Sequence, residues 1–317
     1  MNYFIAFWNV ESLFDVEDSP NRTDKLNRVL KDELKGWNVA VLDKKLEQLS
    51  KIILQMNNQA GPDILGLCEV ENRFVLELLV EKIKNPSRKY KMAHAPTGDR
   101  RGLDTAFIYD ANKVSANEMF SHFIQERTST RDLFQVNFRT NQGTLLIIIN
   151  NHWPSRINGQ YKTEPFRMMA GETLSYFHER VQEIHGTDAA VIAMGDFNDE
   201  PFNRSVSEYA NAQRERAKVT RGNHARFFNL MWPFYGTGTG TCFTDNELKI
   251  FDQFMISKGL LSGKSGLKAD LKSVDVLRFS EMSKGIVKAR PIAFGQAQSI
   301  NRKGYSDHFP IAMIIRD

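Results

Sequence analysis

Ten short runs rich in Val, Ile, Phe and Tyr recur along the whole chain, and several end on, or are flanked by, a carboxylate, a carboxamide or an imidazole. They lie at 3–9, 64–69, 89–94, 105–109, 133–139, 144–151, 189–195, 241–244, 250–256 and 309–315. Runs this short, this β-branched and this aromatic are expected to be strands. Three helical patterns fall between them. In 42–56, Leu42, Leu46, Leu49, Ile53 and Met56 form one apolar stripe, with Lys44, Lys45, Glu47 and Lys51 off it. In 72–84, Phe74, Leu78 and Leu79 are expected to face inward. The third spans 164–184, with Pro165 near its first turn, where proline is tolerated. Strand–helix–strand units mixed with antiparallel-type neighbours (133–139, then 144–151) predict two packed sheets covered by helices. Stretches 12–37 and 257–300 read as polar surface excursions, and the alternating glycines of 235–241 as an irregular loop. No linker or internal repeat divides the chain, so a single domain over 1–317 is expected.

Composition removes several classes. The longest purely apolar run, Leu145 to Ile149, is far below the roughly 18 residues of a membrane-spanning helix. The first residues lack the basic segment and cleavage site of a secretory signal. A cytoplasmic location is therefore expected. Two cysteines, Cys68 and Cys242, make neither a disulfide framework nor, alone, a cysteine zinc site, and both are expected to be reduced. Forty-two basic against 38 acidic residues give a net charge of +4, which permits a polyanionic partner without requiring one.

The chemistry-bearing residues gather at strand ends. Run 3–9 ends in Asn9, 64–69 in Glu69, and 144–151 runs into His152. Run 189–195 leads into Asp196-Phe197-Asn198, Asp252 sits inside an apolar run, and Asp307-His308 precedes the last strand. Each has an ordinary structural reading taken singly: a turn cap, a surface acid, a packed loop histidine. Jointly they predict one rim of oxygen and nitrogen donors. Oxygen ligands without cysteine favour a hard cation, Mg²⁺ or Mn²⁺. His152 and His308 are not in ligand spacing and suit proton transfer or phosphate contact.

These residues carry a resemblance. Trp8-Asn9-Val10-Glu11-Ser12, Leu67-Cys68-Glu69-Val70-Glu71-Asn72, Asn151-His152-Trp153-Pro154, Gly195-Asp196-Phe197-Asn198-Asp199 and Ser306-Asp307-His308-Phe309-Pro310, in this order, resemble the endonuclease/exonuclease/phosphatase superfamily. Deoxyribonuclease I, apurinic endonucleases, sphingomyelinases and inositol-polyphosphate 5-phosphatases belong to it. The resemblance implies a four-layer α/β sandwich, with two packed mixed sheets flanked by helices. It implies Glu69 as principal metal ligand with Asn9 beside it and Asp307 completing the metal environment. Asp196 would activate water, and Asn198 would hold the water or the phosphate. His308, oriented by Asp252, would contact the phosphate, and His152 would serve a phosphate oxygen or the leaving group. Asp104 is assigned the orienting of the first histidine, and Arg101, Arg156 and Arg167 substrate contact. Ile250-Phe251-Asp252-Gln253 departs from the nuclease pattern and is similar to a bacterial branch.

The leading expectation is a Mg²⁺-dependent nuclease, monomeric, with nucleic acid as substrate. Arg214, Arg216, Lys218, Arg221 and Arg226 in 213–226, followed by Phe227 and Phe228, are read as a strip for a phosphate backbone, against a solvated helix face. Lys264, Lys268 and Lys272 add to it. The alternative is a phospholipid or inositol phosphate substrate, for which Met231-Trp232-Pro233-Phe234-Tyr235 is the candidate apolar hairpin. A catalytically inactive binding module is a third reading, disfavoured by the intact set of site residues.

Overall fold

A computed structural model of the chain describes residues 1–126, 130–222, 224–285 and 288–317. Asn223, within the 213–226 strip, and Ile286 and Val287, within the 257–300 stretch, lie outside the described residues. Six strands form one sheet, in the order Lys268–Val276, Ile311–Arg316, Asn2–Leu13, Ile64–Val70, Asp104–Asp110 and Tyr90–His94. Seven form the other: Val114–His122, Leu133–Thr140, Leu145–His152, Val191–Asp196, Asp252–Ile256, Phe227–Asn229 and Ala212–Gln213. Each sheet contains a parallel pair, which a tight turn cannot join. Helix Val39–Gln55 lies between Asn2–Leu13 and Ile64–Val70; helix Gln160–His185 lies between Leu145–His152 and Val191–Asp196. Helix, sheet, sheet and helix make the four-layer α/β sandwich.

Strand Leu145–His152 shows how alternation assigns the layers. Leu146 and Ile148 pack with Phe107, Phe138 and Met194 in the core between the sheets, whereas Ile147 and Ile149 pack with Ala170 and Leu174 of the covering helix. The same period continues past the apolar residues. Asn150 turns inward, and its amide donates to the Leu67 and Ala106 carbonyls of the opposite sheet, both at 3.0 Å. His152, two residues on, emerges on the same face at the end of the interface.

Several expectations change. The 257–300 stretch is not simply an excursion: it contains helix Lys258–Ser262 and strand Lys268–Val276, which pairs with the last strand. Its alternation is broken by a register shift between Asp270 and Asp275, which hides the period. Strand Val114–His122 went unpredicted because it is an edge strand with mostly exposed side chains. The helix beginning at Arg73 is capped by Asn72 and buries Val75, Leu76 and Leu79, while Phe74 faces solvent. Helix Gln160–His185 starts four residues earlier than expected, so Pro165 sits in its second turn. Lys45 is fully buried and donates to the Tyr305 carbonyl at 2.8 Å, and burial lowers its pKa to about 8. Among the described residues, no helix is long and apolar enough to cross a membrane.

His178 lies buried in the covering helix, its ring stacked on Phe227 at 3.9 Å. Burial lowers its pKa to about 3. An unfolded chain protonates this residue below about pH 6.5, but the folded one does not until about pH 3. Its stabilising effect is therefore complete above pH 6.5 and falls progressively towards pH 3, by up to about 5 kcal/mol. Urea titrations at pH 7, 5.5 and 4 should show this loss in the wild type and a shallower one in His178→Gln. Identical pH slopes would show that His178 is not the group responsible.

Candidate active site

The polar strand ends meet at one end of the interface between the sheets. On parallel strands His152 lies beside Asp196, and on the antiparallel neighbour Asp252 lies opposite Asp196. Gly195 permits this approach. Its φ is 153°, and a Cβ there would sit 2.1 Å from the Asn151 carbonyl oxygen, so a larger residue would force the two strands apart. Asp196 Oδ1 then accepts the Asn198 backbone N–H at 2.9 Å, and the Asn198 amide donates to the Trp153 carbonyl at 3.0 Å.

Glu69 reaches the same place by breaking its strand's alternation. Asn9, Phe7, Gly66 and Cys68 share the inter-sheet face, as their register pairs show, so regular alternation would send Glu69 to the other side. Its φ is +65°, and the pairing register shifts between Cys68 and Val70. The carboxylate thereby turns back toward Asn9, whose amide donates to Glu69 Oε1 at 3.3 Å and to Asp196 Oδ2 at 3.0 Å. A bulge in the first strand, with positive φ at Glu11 and Ser12, brings the Ser12 backbone N–H and hydroxyl onto Glu69 Oε2 at 2.8 and 2.9 Å. Burial disfavours the Glu69 charge, yet His152, Arg101, Arg131 and the Ser12 donors hold its pKa at about 2. His152 contributes only when protonated, and burial and Arg131 push its own pKa well down, so the arginines and Ser12 carry the effect.

The two histidines are therefore opposite in character. His308 Nδ1 lies 2.7 Å from Asp252 Oδ2, while Nε2 lies 4.0 Å from Asp196 Oδ2. Burial alone would discharge His308, but Asp252, Asp307 and Asp196 outweigh it and hold the imidazolium well above its ordinary range. His152 Nε2 is 3.7 Å from Glu69 Oε1 and 3.8 Å from Asp196 Oδ2, and its Nδ1 is buried without a partner among the described residues. Burial and the neighbouring Asp252 raise the proton affinity of Asp196, against the charge of His308 and donation from Asn198 and Asn9.

These groups, Asp252 and Ser12 apart, line a pocket of about 430 Å³ with Arg101, Arg131 and Arg156, the Ser155–Ile157 loop, and Phe243, Thr244, Asp245 and Phe251. Asp307 is exposed within it and makes no hydrogen bond or ion pair among the described residues. The donor set fits a hard cation: Glu69 and Asp307 offer carboxylate oxygens to the pocket. Asp196, Asp252 and His308 also bring one donor atom each to within 4.8 Å of one another. In that trio Asp252 and His308 already bond each other, so Glu69 and Asp307 are the better-suited pair.

Three sequence assignments are corrected. Asn9 gives its amide oxygen to the Glu11 backbone N–H at 3.0 Å and turns its nitrogen toward the two carboxylates, so it braces them rather than presenting an oxygen to a metal. Asp104 is taken by His94 Nε2 at 3.0 Å and by Thr97, and does not orient His152. Arg167 is wholly buried, 2.8 Å from Asp199, and cannot meet a substrate. The basic strip lies at the end of the sheets remote from the pocket. Ser257 bonds Ala189 and Val191 where strand Val191–Asp196 begins, so the helix after it lies at the end remote from Asp196. Arg216 donates to Leu261 of that helix, and Arg214 stacks on Trp232. Arg156 lines the pocket, but its guanidinium bonds Asn198, Gln160, Asp199 and Asn203, so it mainly fixes the loop around Asn198. Cys68 and Cys242 are both free and buried. Arg131 and Phe243 were missed; no spacing marks them, and only the fold brings them to the pocket. Ser12 lay within a quoted motif, but its hold on Glu69 was not foreseen.

A sequence model described as the endonuclease/exonuclease/phosphatase family matches residues 4–317. Among curated proteins, nothing matches. Solved structures of similar fold include an endonuclease/exonuclease/phosphatase family protein of Bacteroides thetaiotaomicron, with a TM-score of 0.59, 16% identity, and 100% of this chain and 96% of that one covered. The human Nocturnin catalytic domain with bound sulfate gives 0.59 and 14%, with 99% and 94% covered. A Bacteroides thetaiotaomicron mannosyl-6-phosphatase gives 0.58 and 14%, with 99% and 100% covered.

Asp199 binds Arg167, Arg156 and Ser205 beneath the site. Arg167→Met should leave a buried carboxylate half-neutralised and cost about 3–5 kcal/mol. Adding Asp199→Asn should recover part of that loss. Thermal unfolding of the three variants checks this, and a near-neutral Arg167→Met would show that Arg156 suffices alone.

Proposed function

The chain belongs to the endonuclease/exonuclease/phosphatase family, and from that premise we propose that it hydrolyses a nucleic acid phosphodiester with a divalent cation, Mg²⁺ or Mn²⁺. The observation that carries the reading is the pairing, within one pocket, of a buried acid that favours its proton with an imidazolium kept charged by another acid. Asp196 accepts a proton from water as the water oxygen forms its bond to phosphorus and the bond to the leaving oxygen breaks. His308 donates to a phosphoryl oxygen on which charge develops, and Asp252 fixes which ring nitrogen faces it. Asn198 orients the water or the phosphate. His152, neutral, donates a hydrogen bond toward the leaving oxygen. Arg101 and Arg131 add positive charge along one wall. The cation, held by Glu69 and Asp307, would neutralise phosphoryl charge.

The phospholipid reading has weaker support. Met231 is buried and Trp232 lies against Arg214, and although Pro233 and Tyr235 are exposed, the segment is a single helical turn rather than an apolar hairpin. At the pocket a nucleic acid strand would meet Arg101 and Arg131, and the 213–226 strip, at the far end of the sheets, could contact only a more distant part of it.

Turnover of a phosphodiester should require added Mg²⁺ or Mn²⁺ and stop in excess EDTA. Glu69→Gln should need more metal to reach half-maximal rate. Full activity in EDTA would reject the cation, and a wild-type metal titration for Glu69→Gln would reject Glu69 as its ligand.

His308→Ala should lower kcat by about 10²–10⁴-fold, the range for a positioned acid–base group. Asp252→Asn should lose much of the same factor, and the double variant should be little worse than His308→Ala, because the pair acts as a unit. Additive losses would mean that the two residues work separately.

A further inference from the structure

One wall of the pocket is built for something other than phosphate. Strands Cys242–Thr244 and Glu247–Lys249 form a hairpin whose turn residues Asp245 and Asn246 both have positive φ, 52° and 60°, the geometry of a tight two-residue turn. The hairpin is fastened to both members of the imidazole–carboxylate pair. Cys242 bridges to His308 through the main chain, the Thr241 carbonyl accepts the Phe309 N–H at 2.6 Å, and the Thr241 hydroxyl accepts the N–H groups of Phe251 and Asp252 at 3.1 Å. Its side chains are therefore held in a fixed relation to the reacting phosphate.

Phe243 projects from this hairpin into the pocket and is only half-buried. The Arg290 guanidinium lies over its ring, 4.8 Å from the centroid. A ring covered by a cation and left partly open toward a cavity is a stacking platform rather than core filling. Asp245, exposed at the turn, offers a carboxylate, which accepts hydrogen bonds and donates none, and so matches N–H or O–H donors on the stacked group. A pocket of about 430 Å³ is of the size that takes one small-molecule unit.

We propose that the 242–249 hairpin is a nucleoside subsite, in which a base stacks on Phe243 and its donors, or those of its sugar, bond Asp245. This rests on the phosphodiesterase reading above and specifies its substrate: the nucleoside attached to the scissile phosphate enters the pocket as a single unit. Phe243 is then a specificity-determining residue, since it touches neither the attacking water nor the bond that breaks.

Thymidine 5′-(p-nitrophenyl phosphate) and methyl p-nitrophenyl phosphate share a scissile bond and differ in the nucleoside. The wild type should prefer the thymidine ester in kcat/KM by roughly tenfold or more, the scale of one base–aromatic stack. The preference should collapse in Phe243→Leu, which keeps an apolar side chain without a ring, and return in Phe243→Trp. An equal preference in wild type and Phe243→Leu, or none in the wild type, would overturn the subsite. Calorimetric binding of thymidine 5′-monophosphate against methyl phosphate, in Mg²⁺, separates this from turnover. Weaker thymidine 5′-monophosphate binding in Phe243→Leu, by roughly tenfold, supports the subsite even if neither ester is hydrolysed, an outcome that would reject the phosphodiesterase reading instead. Equal affinities for the two phosphates would reject the subsite whatever the kinetics.

Discussion

Four carboxylates gather at one small pocket, Glu69, Asp196 and Asp307 lining it and Asp252 buried behind His308, and the cost of holding them together governs the surrounding structure. Like charges removed from bulk water repel strongly unless each is matched by a donor or a cation. Each has a different remedy. Glu69 takes the Ser12 backbone and hydroxyl and the field of two arginines. Asp252 takes an imidazolium, Asp196 takes two amide donors and an increased affinity for a proton, and Asp307 stays open to the pocket. The site is thus a set of unequal carboxylates, and unequal proton affinities are what acid–base chemistry requires.

The two-sheet architecture makes that convergence possible. Inward-facing residues of each sheet continue, with the same alternation, from apolar core into polar site. In Leu145–His152 the sequence Leu146, Ile148, Asn150, His152 passes from packing, through a carboxamide tying the sheets together, to a pocket imidazole. Beneath the pocket, Asp199 with Arg156 and Arg167 locks the loop that carries Asn198 to the long helix. Rigidity of this kind suits a site whose work is positioning charge before the reaction begins.

Much of this was legible from residue order. The apolar runs marked the central strands because those strands are buried on both faces, and a buried strand can be read without its neighbours. Edge strands Val114–His122 and Lys268–Val276 were not legible, because exposed side chains and a bulge remove the period. The site residues could be named because strand ends carried polar types that packing does not explain. Asp104 and Arg167 were misjudged for one reason: a charged residue near the right segment can be spent entirely on a structural partner, here His94 and Asp199. The position of the 213–226 strip was likewise not legible, since charge density along a chain says nothing about which end of a sheet it occupies.

The sequence by itself determined the strand-and-helix alternation, the superfamily, and the identity of Glu69, Asp196, Asn198, Asp252, Asp307 and His308 as candidates. These follow from local side-chain chemistry and from period, which neighbours in the chain share. Only the tertiary structure decided what each candidate faces. It turned Glu69 back through a positive φ, made Asn9 a brace, paired His308 with Asp252 across 56 positions of chain, and brought Arg131 and Phe243 to the pocket. Hydrogen bonds and Coulomb interactions act over a few ångströms in space, and a distance in space between remote segments is not fixed until the sheets have packed.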